Sequence, residues 1–398
     1  MAGAVSAPLT RVVLKRGREG PVRGGNPWIF SQAIDRIEPP SPEAGAIVTV
    51  HDAAGALLGM GYCNPATTIA LRMIAWGEAP AIEELIARRL KGALELRRRF
   101  VRDDTDAYRL VNGDGDGLSG VVVDRFGEVL VVQILTAGAD RMRAAIVAAL
   151  SELLHPRAII ERSHGAVRKQ EGLEDHSGIL AGEPVTETIA SENGIKLKID
   201  FEHGQKTGYF LDQRDNRVLA GNIARGSRVL DAFCYQGGFA LAAIGGGANK
   251  VVAVDTSARA LEIARQNFEL NERPANAVEF VHGEAGKLMA ETPNRFDLIV
   301  LDPPPLARSR GDAERAGRLY VELNTVAMRA LSPGGRLMTF SCSTHFRADD
   351  FVRAVRFAAS NAGRTLRLIA HLGPGADHPV LLGHGEGEYL TGLLLADL

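Results

Sequence analysis

The chain contains 398 residues, of which 45% are hydrophobic and 24% are charged. This composition is typical of a soluble globular protein, and the length predicts two or three domains rather than one core. The formal net charge of −2 does not indicate a nucleic-acid-binding protein, although binding follows local clusters of charge. The apolar runs have the length of strands, far below the ~20 residues of a membrane span, so we expect no membrane partner.

The three cysteines, Cys63, Cys234 and Cys342, are widely spaced and form no Cys-x-x-Cys pair. This spacing favours a reducing cytoplasm and disfavours structural zinc or a disulfide framework. The segment Met1–Ala4 has no charged region ahead of an apolar block, so we expect no signal peptide. Together these observations predict a cytoplasmic protein without a bound metal.

Residues 8–76 consist of short apolar runs separated by turns, which is the pattern of a small all-β domain. Basic residues interleaved with glycine stand at the end of the first run and directly after it, at Lys15, Arg16 and Arg18. We expect them on a loop, where their charges would contact the phosphates of a nucleic acid. The predicted strands are Arg11–Lys15, Ile47–His51, Ala56–Tyr62 and Ile69–Met73.

Residues 77–185 are predicted to form a helix followed by a small central α/β domain. The cluster Asn112–Gly117 resembles a calcium loop in composition, but its twelfth position is Val123 rather than the closing Glu, so a tight turn is favoured. The run Arg97–Arg99 allows two interpretations, a phosphate-binding surface or ordinary solvated charge on a helix. The predicted elements are the helix Ala81–Arg102, the strands Val121–Asp124 and Val129–Leu135, the helix Asp140–Leu153 and the strand Ala158–Glu161.

From residue 186 onward, two strands lead into a regular alternation of strands and helices. This alternation predicts a doubly wound, mostly parallel sheet, so residues 186–398 are predicted to be one α/β domain. The predicted strands are Thr186–Ser191, Ile195–Phe201, Arg228–Ala232, Val251–Asp255, Val278–His282, Leu298–Asp302, Arg336–Ser341 and two more at the end of the chain. The predicted helices are Gly238–Ala243, Ala258–Asn271, Ala313–Leu331 and Ala348–Ala362.

A Gly-rich turn follows the first strand of this alternation, at Asp231–Gly238, but it does not match G-x-G-x-x-G. An acid at Asp231 would repel a pyrophosphate and would suit a cationic amino-acid group. Asp255 ends the next strand, where a carboxylate can bind ribose hydroxyls, and Glu284 follows the third strand, where it could accept from an adenine amino group. Three acids at successive strand ends favour S-adenosylmethionine over a nicotinamide dinucleotide. Each acid taken alone is also explained as a residue that ends a strand.

The triplet Asp302-Pro303-Pro304 follows the fourth strand, where its prolines make a rigid loop that can hold a planar nucleobase. Such a loop suits methylation of an exocyclic amine as well as of a ring carbon. Cys342 separates the two reactions, because carbon 5 of a pyrimidine becomes nucleophilic only after a nucleophile such as a thiolate has added to carbon 6. The alternative for any cysteine is a small buried hydrophobic residue, which we expect for Cys63. We expect Cys234 to line the cofactor site.

The block His203–Arg217, the Asp231 turn, Asp302-Pro303-Pro304 and Ser341-Cys342-Ser343 together resemble the bacterial 23S ribosomal RNA cytosine-5 methyltransferases. The resemblance covers nearly the whole chain and implies an N-terminal PUA domain, a small central α/β domain and a Rossmann-like class I methyltransferase domain. It also implies a homodimer. Further matching segments are Gly25–Ser31, Gly59–Pro65, Glu161–Ser163, Val167–Leu173 and Gly387–Leu390.

The chain departs from that family at Glu284, where the family often has Asp. Relatives that make 7-methylguanine share most of the matching segments, so the cytosine-5 assignment depends on Cys342. The resemblance implies a catalytic pair, Cys342 and Asp302, in which Asp302 hydrogen-bonds the ring nitrogen. The residues expected to bind S-adenosylmethionine are Phe210, Asp231, Phe233, Gly237, Asp255, Glu284 and Asp302. Those expected to bind ribosomal RNA, in particular 23S RNA, are Lys15, Arg16, Arg18, Lys206, Pro303 and Pro304.

The function predicted from the sequence is therefore formation of 5-methylcytosine in 23S ribosomal RNA through a covalent cysteine adduct. One alternative is methylation of a guanine or adenine nitrogen, with Cys342 only part of the pocket wall. Another is a non-catalytic RNA-binding protein that assists ribosome assembly. A dehydrogenase is disfavoured because the dinucleotide motif is missing and an acid stands in the first turn.

Overall fold

The structure is a computed structural model that describes residues 9–307, 310–343 and 345–398. The segment Met1–Ala4, on which the signal-peptide expectation rests, lies outside these ranges. Among the described residues, no helix has both the length and the hydropathy required to cross a membrane. The chain forms two compact units: the first comprises residues up to Thr188, Ile199–Tyr209 and Ala376–Gly387, and the second comprises Ile189–Lys198, Phe210–Gly375 and Glu388–Leu398.

The first sheet of the first unit is built from the N-terminal strands. Its elements are β1 (Thr10–Leu14), α1 (Gly20–Arg23), β2 (Trp28–Ile29), β3 (Ile34–Glu38), β4 (Ala46–His51), β5 (Leu57–Cys63) and β6 (Leu71–Trp76). The strand order is β2-β6-β5-β4-β1-β3. Cys63 is fully buried in the core of this sheet, which confirms its prediction as a small hydrophobic residue. The all-β prediction missed α1, a single turn of helix that begins near Pro21.

The second sheet of the first unit has more strands than the sequence predicts. Its elements are α2 (Ile82–Phe100), β7 (Ala107–Asn112), β8 (Val121–Phe126), β9 (Val129–Ile134), α3 (Ala137–Arg141), α4 (Arg143–Leu154), β10 (Ala158–Ser163), α5 (Ala166–Gln170) and β11 (His176–Gly182). The strand order is β11-β10-β9-β8-β7. The edge strand β11 was missed because it is mostly exposed and so lacks an apolar pattern.

The cluster at Asn112–Gly117 forms a tight turn, as predicted, with a left-handed Gly117 at φ 71°. Its acid Asp116 binds Arg97, with both guanidinium nitrogens donating to the carboxylate at 2.5 and 2.8 Å. Arg97 is only 1% exposed, so the interpretation of this arginine as solvated charge is wrong. The reason is helical geometry: Arg97 lies on the same face of α2 as the buried Leu90 and Leu94, whereas its neighbour Arg98 is exposed.

The second unit contains the doubly wound sheet. The chain enters it through the two-stranded sheet of β12 (Glu187–Glu192) and β13 (Ile195–Asp200). Its helices are α6 (Arg214–Ile223), α7 (Gly238–Gly245), α8 (Ala258–Leu270), α9 (Ala285–Glu291), α10 (Ala313–Ala330) and α11 (Ala348–Ala362). Its other strands are β14 (Arg228–Ala232), β15 (Lys250–Asp255), β16 (Val278–His282), β17 (Phe296–Leu301), β18 (Leu331–Ser341), β19 (Leu366–Leu372) and β20 (Thr391–Asp397).

The order of the seven-stranded sheet is β16-β15-β14-β17-β18-β20-β19. The first five strands are parallel, with Leu230 opposite both Val252 and Ile299, and Ile299 opposite Leu337. Strands β20 and β19 join the sheet antiparallel. The predicted mostly parallel α/β fold is confirmed, and the parallel strands bring the carboxyl ends of β14, β15, β17 and β18 to one edge.

Candidate active site

The carboxylate of Asp231 lies at the junction of β14 and the Gly-rich turn and is 1% exposed. One of its oxygens accepts a hydrogen bond from the Ala240 amide in the first turn of α7, at 2.9 Å. The other oxygen is buried and has no hydrogen-bond partner among the described residues. Burial is the largest cause that raises the pKa of Asp231, to about 7; the nearby carboxylates of Asp302 and Asp255 contribute to this rise, and the Ala240 amide and the Arg217 guanidinium oppose it. The site therefore holds a buried acid with one oxygen that no described residue hydrogen-bonds.

The backbone of the turn after Asp231 is unusual. Phe233 and Tyr235 have positive φ angles of 65° and 48°, and Gly237 has a φ of 77°. Non-glycine residues rarely adopt this conformation, and they persist where the surroundings hold them. Asp255 provides part of that support, because it accepts hydrogen bonds from the Tyr235 amide at 2.9 Å and from the Ser257 amide at 2.8 Å. The acid at the end of β15 thus holds the turn that follows β14.

Phe210 lies against this turn, with its ring centroid 5.1 Å from that of Tyr235 in an edge-to-face arrangement. The Phe210 carbonyl accepts a hydrogen bond from Arg217 at 2.9 Å. Arg217 in turn makes two hydrogen bonds of 2.6 Å to the carboxylate of Glu192, and both side chains are buried. The sequence did not indicate this pair, because the two residues are far apart in the chain and lie on different elements.

Glu284 follows β16, directly before α9, and is exposed. Because Asp255 at the end of β15 is opposite His282 at the end of β16, Glu284 lies near the same edge of the sheet as Asp255. The structure gives no contact that defines its role, so adenine recognition by Glu284 stays a prediction.

The loop after β17 carries the proline triplet. The Asp302 amide donates to the carbonyl of Ala232 at 3.4 Å, which joins this loop to the end of β14. Pro303 is buried and Pro304 is exposed. The Cys342 thiol donates to the Pro303 carbonyl, with 3.7 Å between sulfur and oxygen. The structure therefore brings Cys342 and the proline loop together, as the sequence predicts.

The three thiols differ in their surroundings. Cys342 is half-buried, between Ser341 and Ser343, which are 1% and 2% exposed. Cys234 is buried in the turn that follows β14, and burial raises its pKa well above its usual value. Burial likewise raises the pKa of Cys63 to about 11. Of these thiols, Cys342 alone is accessible enough to react with a substrate.

The residues predicted to bind RNA divide between the two units. Lys15, Arg16 and Arg18 lie in the first unit on the exposed loop after β1, where Lys15 donates to the Gln32 carbonyl at 3.0 Å. Lys206, also in the first unit, is exposed and has a positive φ of 51°. Pro303 and Pro304 belong to the second unit. The roles of these residues remain predictions.

The first turn fits a ligand with a positive amino group better than a dinucleotide. A pyrophosphate binds to the free amides at the N-terminus of a helix, but in this structure the Asp231 carboxylate already binds an amide of α7. The unpartnered oxygen of Asp231 is an acceptor for an ammonium group. The side-chain amide of Gln236 is also buried, and neither its nitrogen nor its oxygen has a hydrogen-bond partner within the described ranges. These groups fit the methionine moiety of S-adenosylmethionine.

Comparison with known protein families matches two parts of the chain. Residues 109–360 match the S-adenosylmethionine-dependent methyltransferase family, and residues 12–76 match a PUA-like domain. The chain is 42% identical over 388 residues to the ribosomal RNA large subunit methyltransferase I of Shigella dysenteriae, covering 96% of this chain and 97% of that protein.

Two solved structures show a similar fold over 97% of this chain. A SAM-dependent methyltransferase structure from Streptococcus mutans has a TM-score of 0.81 at 21% identity and covers 97% of this chain and 99% of its own. A second methyltransferase structure, complexed with SAH, has a TM-score of 0.83 at 21% identity with the same coverage. From the family match and the 42% identity, this chain belongs to the S-adenosylmethionine-dependent methyltransferases, and its cofactor is S-adenosylmethionine.

Proposed function

We propose that this methyltransferase forms 5-methylcytosine in the RNA of the large ribosomal subunit, with Cys342 as the covalent nucleophile. The RNA substrate is supported by the relative from Shigella dysenteriae, which is named a ribosomal RNA large subunit methyltransferase and matches this chain along 96% of its length. The PUA-like match over residues 12–76 is consistent with an RNA substrate.

The position of Cys342 is the observation that carries the proposal. A methyltransferase that acts on an amine or a ring nitrogen needs no covalent nucleophile, since those atoms already have a lone pair. The Cys342 thiol is half-buried at the carboxyl end of β18, and its sulfur is 3.7 Å from the carbonyl of Pro303 in the loop that begins with Asp302. A base held against that loop would have its ring carbons within reach of the thiol.

The reaction requires the target cytosine to leave its base stack before Cys342 can reach it. The Cys342 thiolate forms a bond from sulfur to carbon 6, and the electrons of the carbon 5–carbon 6 double bond become available at carbon 5. Asp302 in its protonated form donates a hydrogen bond to ring nitrogen 3 and stabilises the charge that develops on the ring. S-adenosylmethionine, when bound, supplies the methyl group to carbon 5. Loss of the carbon 5 proton to a base then restores the double bond and expels the Cys342 thiolate.

The first unit contributes contacts to the RNA backbone in this proposal. Lys15, Arg16 and Arg18 lie together on the exposed loop after β1. Such side chains bind phosphates without reading sequence, and so they position an RNA rather than select the base. The choice of base would then belong to the loop of Asp302, Pro303 and Pro304.

Nucleoside mass spectrometry tests the product directly. Large-subunit RNA incubated with the purified protein and S-adenosylmethionine should gain 5-methylcytosine. A methylated guanine or adenine instead would refute the proposal and favour the nitrogen-methylating alternative. RNA binding without any methylated product would favour a role in ribosome assembly.

Single-turnover methylation by Cys342→Ala tests the covalent step. We expect a loss of about 10³-fold or more, because an unactivated carbon 5 does not react. Cys63→Ala is the matched control, since that thiol is buried in the first unit and should leave the rate unchanged. RNA that contains 5-fluorocytosine should trap a covalent adduct with the wild-type protein and with Cys63→Ala but not with Cys342→Ala. Full activity of Cys342→Ala would refute the covalent mechanism.

A further inference from the structure

Tyr320 of α10 is fully buried close to the thiol. Its ring is stacked on Phe346, with 5.1 Å between centroids and 22° between planes. Phe351 of α11 packs against it edge-to-face, with centroids 5.2 Å apart. These two aromatic contacts fix the ring, and they therefore also fix where its hydroxyl lies.

The Tyr320 hydroxyl lies between the two serines that flank Cys342. Ser341 Oγ donates to the Tyr320 hydroxyl at 2.9 Å, and the same hydroxyl is 3.0 Å from Ser343 Oγ. Burial raises the pKa of Tyr320, so the hydroxyl keeps its proton and can accept from one serine while donating to the other. Both serine hydroxyls are thereby held inward, whereas Cys342 between them stays half-buried.

Ser343 extends this network to the proline loop. Its Oγ accepts hydrogen bonds from the amides of Leu306 at 3.0 Å and Ala307 at 3.2 Å. At the other end of the same loop, the Cys342 thiol donates to the Pro303 carbonyl. The segment 341–343 is consequently joined to both ends of the loop 303–307, and the Tyr320 hydroxyl hydrogen-bonds both serines of this segment.

We propose that Tyr320 is a positioning residue of the methyl-transfer reaction, which sets the distance between the Cys342 thiol and the loop that begins with Asp302. This inference rests on the proposed role of Cys342 as the nucleophile. Tyr320 touches neither the cofactor nor the base in this proposal and acts only through Ser341 and Ser343. Placement of this kind matters because an error of about 1 Å between reacting groups can cost about 10²-fold in rate.

The test compares Tyr320→Phe with a matched control, Tyr62→Phe. Tyr62 is a second buried tyrosine, in the first unit, and its hydroxyl also makes two hydrogen bonds, to the Ser119 carbonyl at 2.9 Å and to Thr136 Oγ1 at 2.8 Å. Each variant loses one buried hydroxyl and keeps the ring. A loss of stability alone should therefore affect both variants to a similar extent, whereas a loss of positioning should affect only Tyr320→Phe.

Two readouts should separate positioning from stability. The single-turnover rate of Tyr320→Phe should fall about tenfold or more while its Kd for S-adenosylmethionine stays within about twofold of wild type. Alkylation by iodoacetamide, measured for each cysteine by peptide mass spectrometry, should become several-fold faster at Cys342 because the segment 341–343 is no longer held. Alkylation of the buried Cys63 and Cys234 should not change, which excludes general unfolding.

Ser343→Ala provides a second variant that removes a smaller side chain and should reproduce the faster alkylation of Cys342. If Tyr320→Phe and Ser343→Ala both match Tyr62→Phe in rate and in alkylation, the inference is overturned. Failure of the proposed function gives a different result, since the wild-type protein would then make no 5-methylcytosine. The alkylation of Cys342 would still show in that case whether Tyr320 restrains the segment 341–343, because it requires no methyl transfer.

Discussion

The Asp231 carboxylate accepts a hydrogen bond from the Ala240 amide at 2.9 Å, and its second oxygen is buried without a partner among the residues that the structure describes. The acid therefore occupies the N-terminus of α7, where many nucleotide-binding proteins hold a phosphate. A carboxylate in this position can bind the positive amino group of S-adenosylmethionine, but it costs stability while it stays unpaired. The first two predictions follow from the burial of this acid and from its raised pKa.

Asp231→Asn should stabilise the protein without cofactor at neutral and alkaline pH. Burial raises the pKa of Asp231 from 3.8 to about 7, so the folded state binds this proton more tightly than the unfolded state. This tighter proton binding stabilises the folded wild-type protein fully below pH ~4. The wild-type protein loses that stabilisation as the pH rises through about 7. The free energy of unfolding of Asp231→Asn minus that of wild type should therefore increase between these pH values, by on the order of 2–4 kcal/mol.

Urea denaturation between pH 4 and 8 measures this difference. Glu279→Gln is the control, because it removes a carboxylate that is exposed at the surface, 4.0 Å from Lys250 Nζ, rather than buried. A pH-independent difference for Asp231→Asn would contradict the raised pKa. Asp231→Asn should also lose most of the affinity for S-adenosylmethionine.

Binding of S-adenosylmethionine should strengthen as the pH rises from 5.5 to 7. The ammonium group needs an ionised Asp231, and that fraction increases by about tenfold or more over this range if the pKa is about 7. Calorimetry at several pH values measures the Kd and the protons released. Methylthioadenosine, which lacks the amino-acid portion, should bind with no such pH dependence, and a flat profile for S-adenosylmethionine would rule out the predicted contact.

Gly237→Ala should destabilise the turn that follows β14. Gly237 has a φ of 77°, and an added Cβ would lie 3.2 Å from the Cβ of Ala264 in α8. We expect a loss of about 1–3 kcal/mol in the free energy of unfolding and weaker cofactor binding. Gly226→Ala is the matched control, because Gly226 has a φ of 70° but open space around it. This variant should lose only the stability that the strained backbone of alanine costs, and its affinity for the cofactor should not change.

Arg97→Ala should be far more destabilising than Arg98→Ala. Arg97 is buried in a bidentate pair with Asp116 and also donates to the carbonyls of Arg109 and Asp377 at 2.8 and 2.7 Å. Its removal leaves the Asp116 carboxylate buried without its cation, which costs about 3–5 kcal/mol. Arg98 is exposed, and its loss should change stability by less than about 0.5 kcal/mol. Equal losses of stability for the two variants in thermal denaturation would contradict the assignment of Arg97 to a buried ion pair.

Replacement of Lys15, Arg16 and Arg18 by alanine should weaken RNA binding without changing cofactor affinity. Each lost phosphate contact should reduce the dependence of log K on log salt by about 0.7 for a single strand. Fluorescence anisotropy at several salt concentrations measures this slope. Alanine at the exposed Arg98 and Arg99 is the control for charge alone, and an equal change in slope there would argue against a specific role for the loop after β1.

The mostly parallel sheet and its functional edge could be predicted from the sequence. Alternating apolar strands and helices admit few topologies, and the carboxyl ends of parallel strands lie at one edge. Asp231, Asp255, Asp302 and Cys342 each follow or end such a strand, and so their proximity was predictable from local pattern. The Asp-Pro-Pro and Ser-Cys-Ser segments lie together for the same reason.

The grouping of segments into units was not predictable in the same way. The predicted boundary at residue 186 lies close to the change of unit after Thr188, but Ile199–Tyr209 and Ala376–Gly387 belong to the first unit although both fall within the predicted methyltransferase domain. A local pattern shows that a segment leaves the sheet, but it does not show which core the segment packs against.

The sequence by itself determined which residues stand at the strand ends, and therefore the cofactor class and the candidate nucleophile. Only the tertiary structure decided how those residues are supported. Tyr320 and Arg97 resemble an ordinary core aromatic and a surface charge in the sequence, because the partners that define them, Ser343 and Asp116, are distant along the chain. Strand ends follow from local periodicity, whereas hydrogen bonds between distant side chains exist only after the chain has folded.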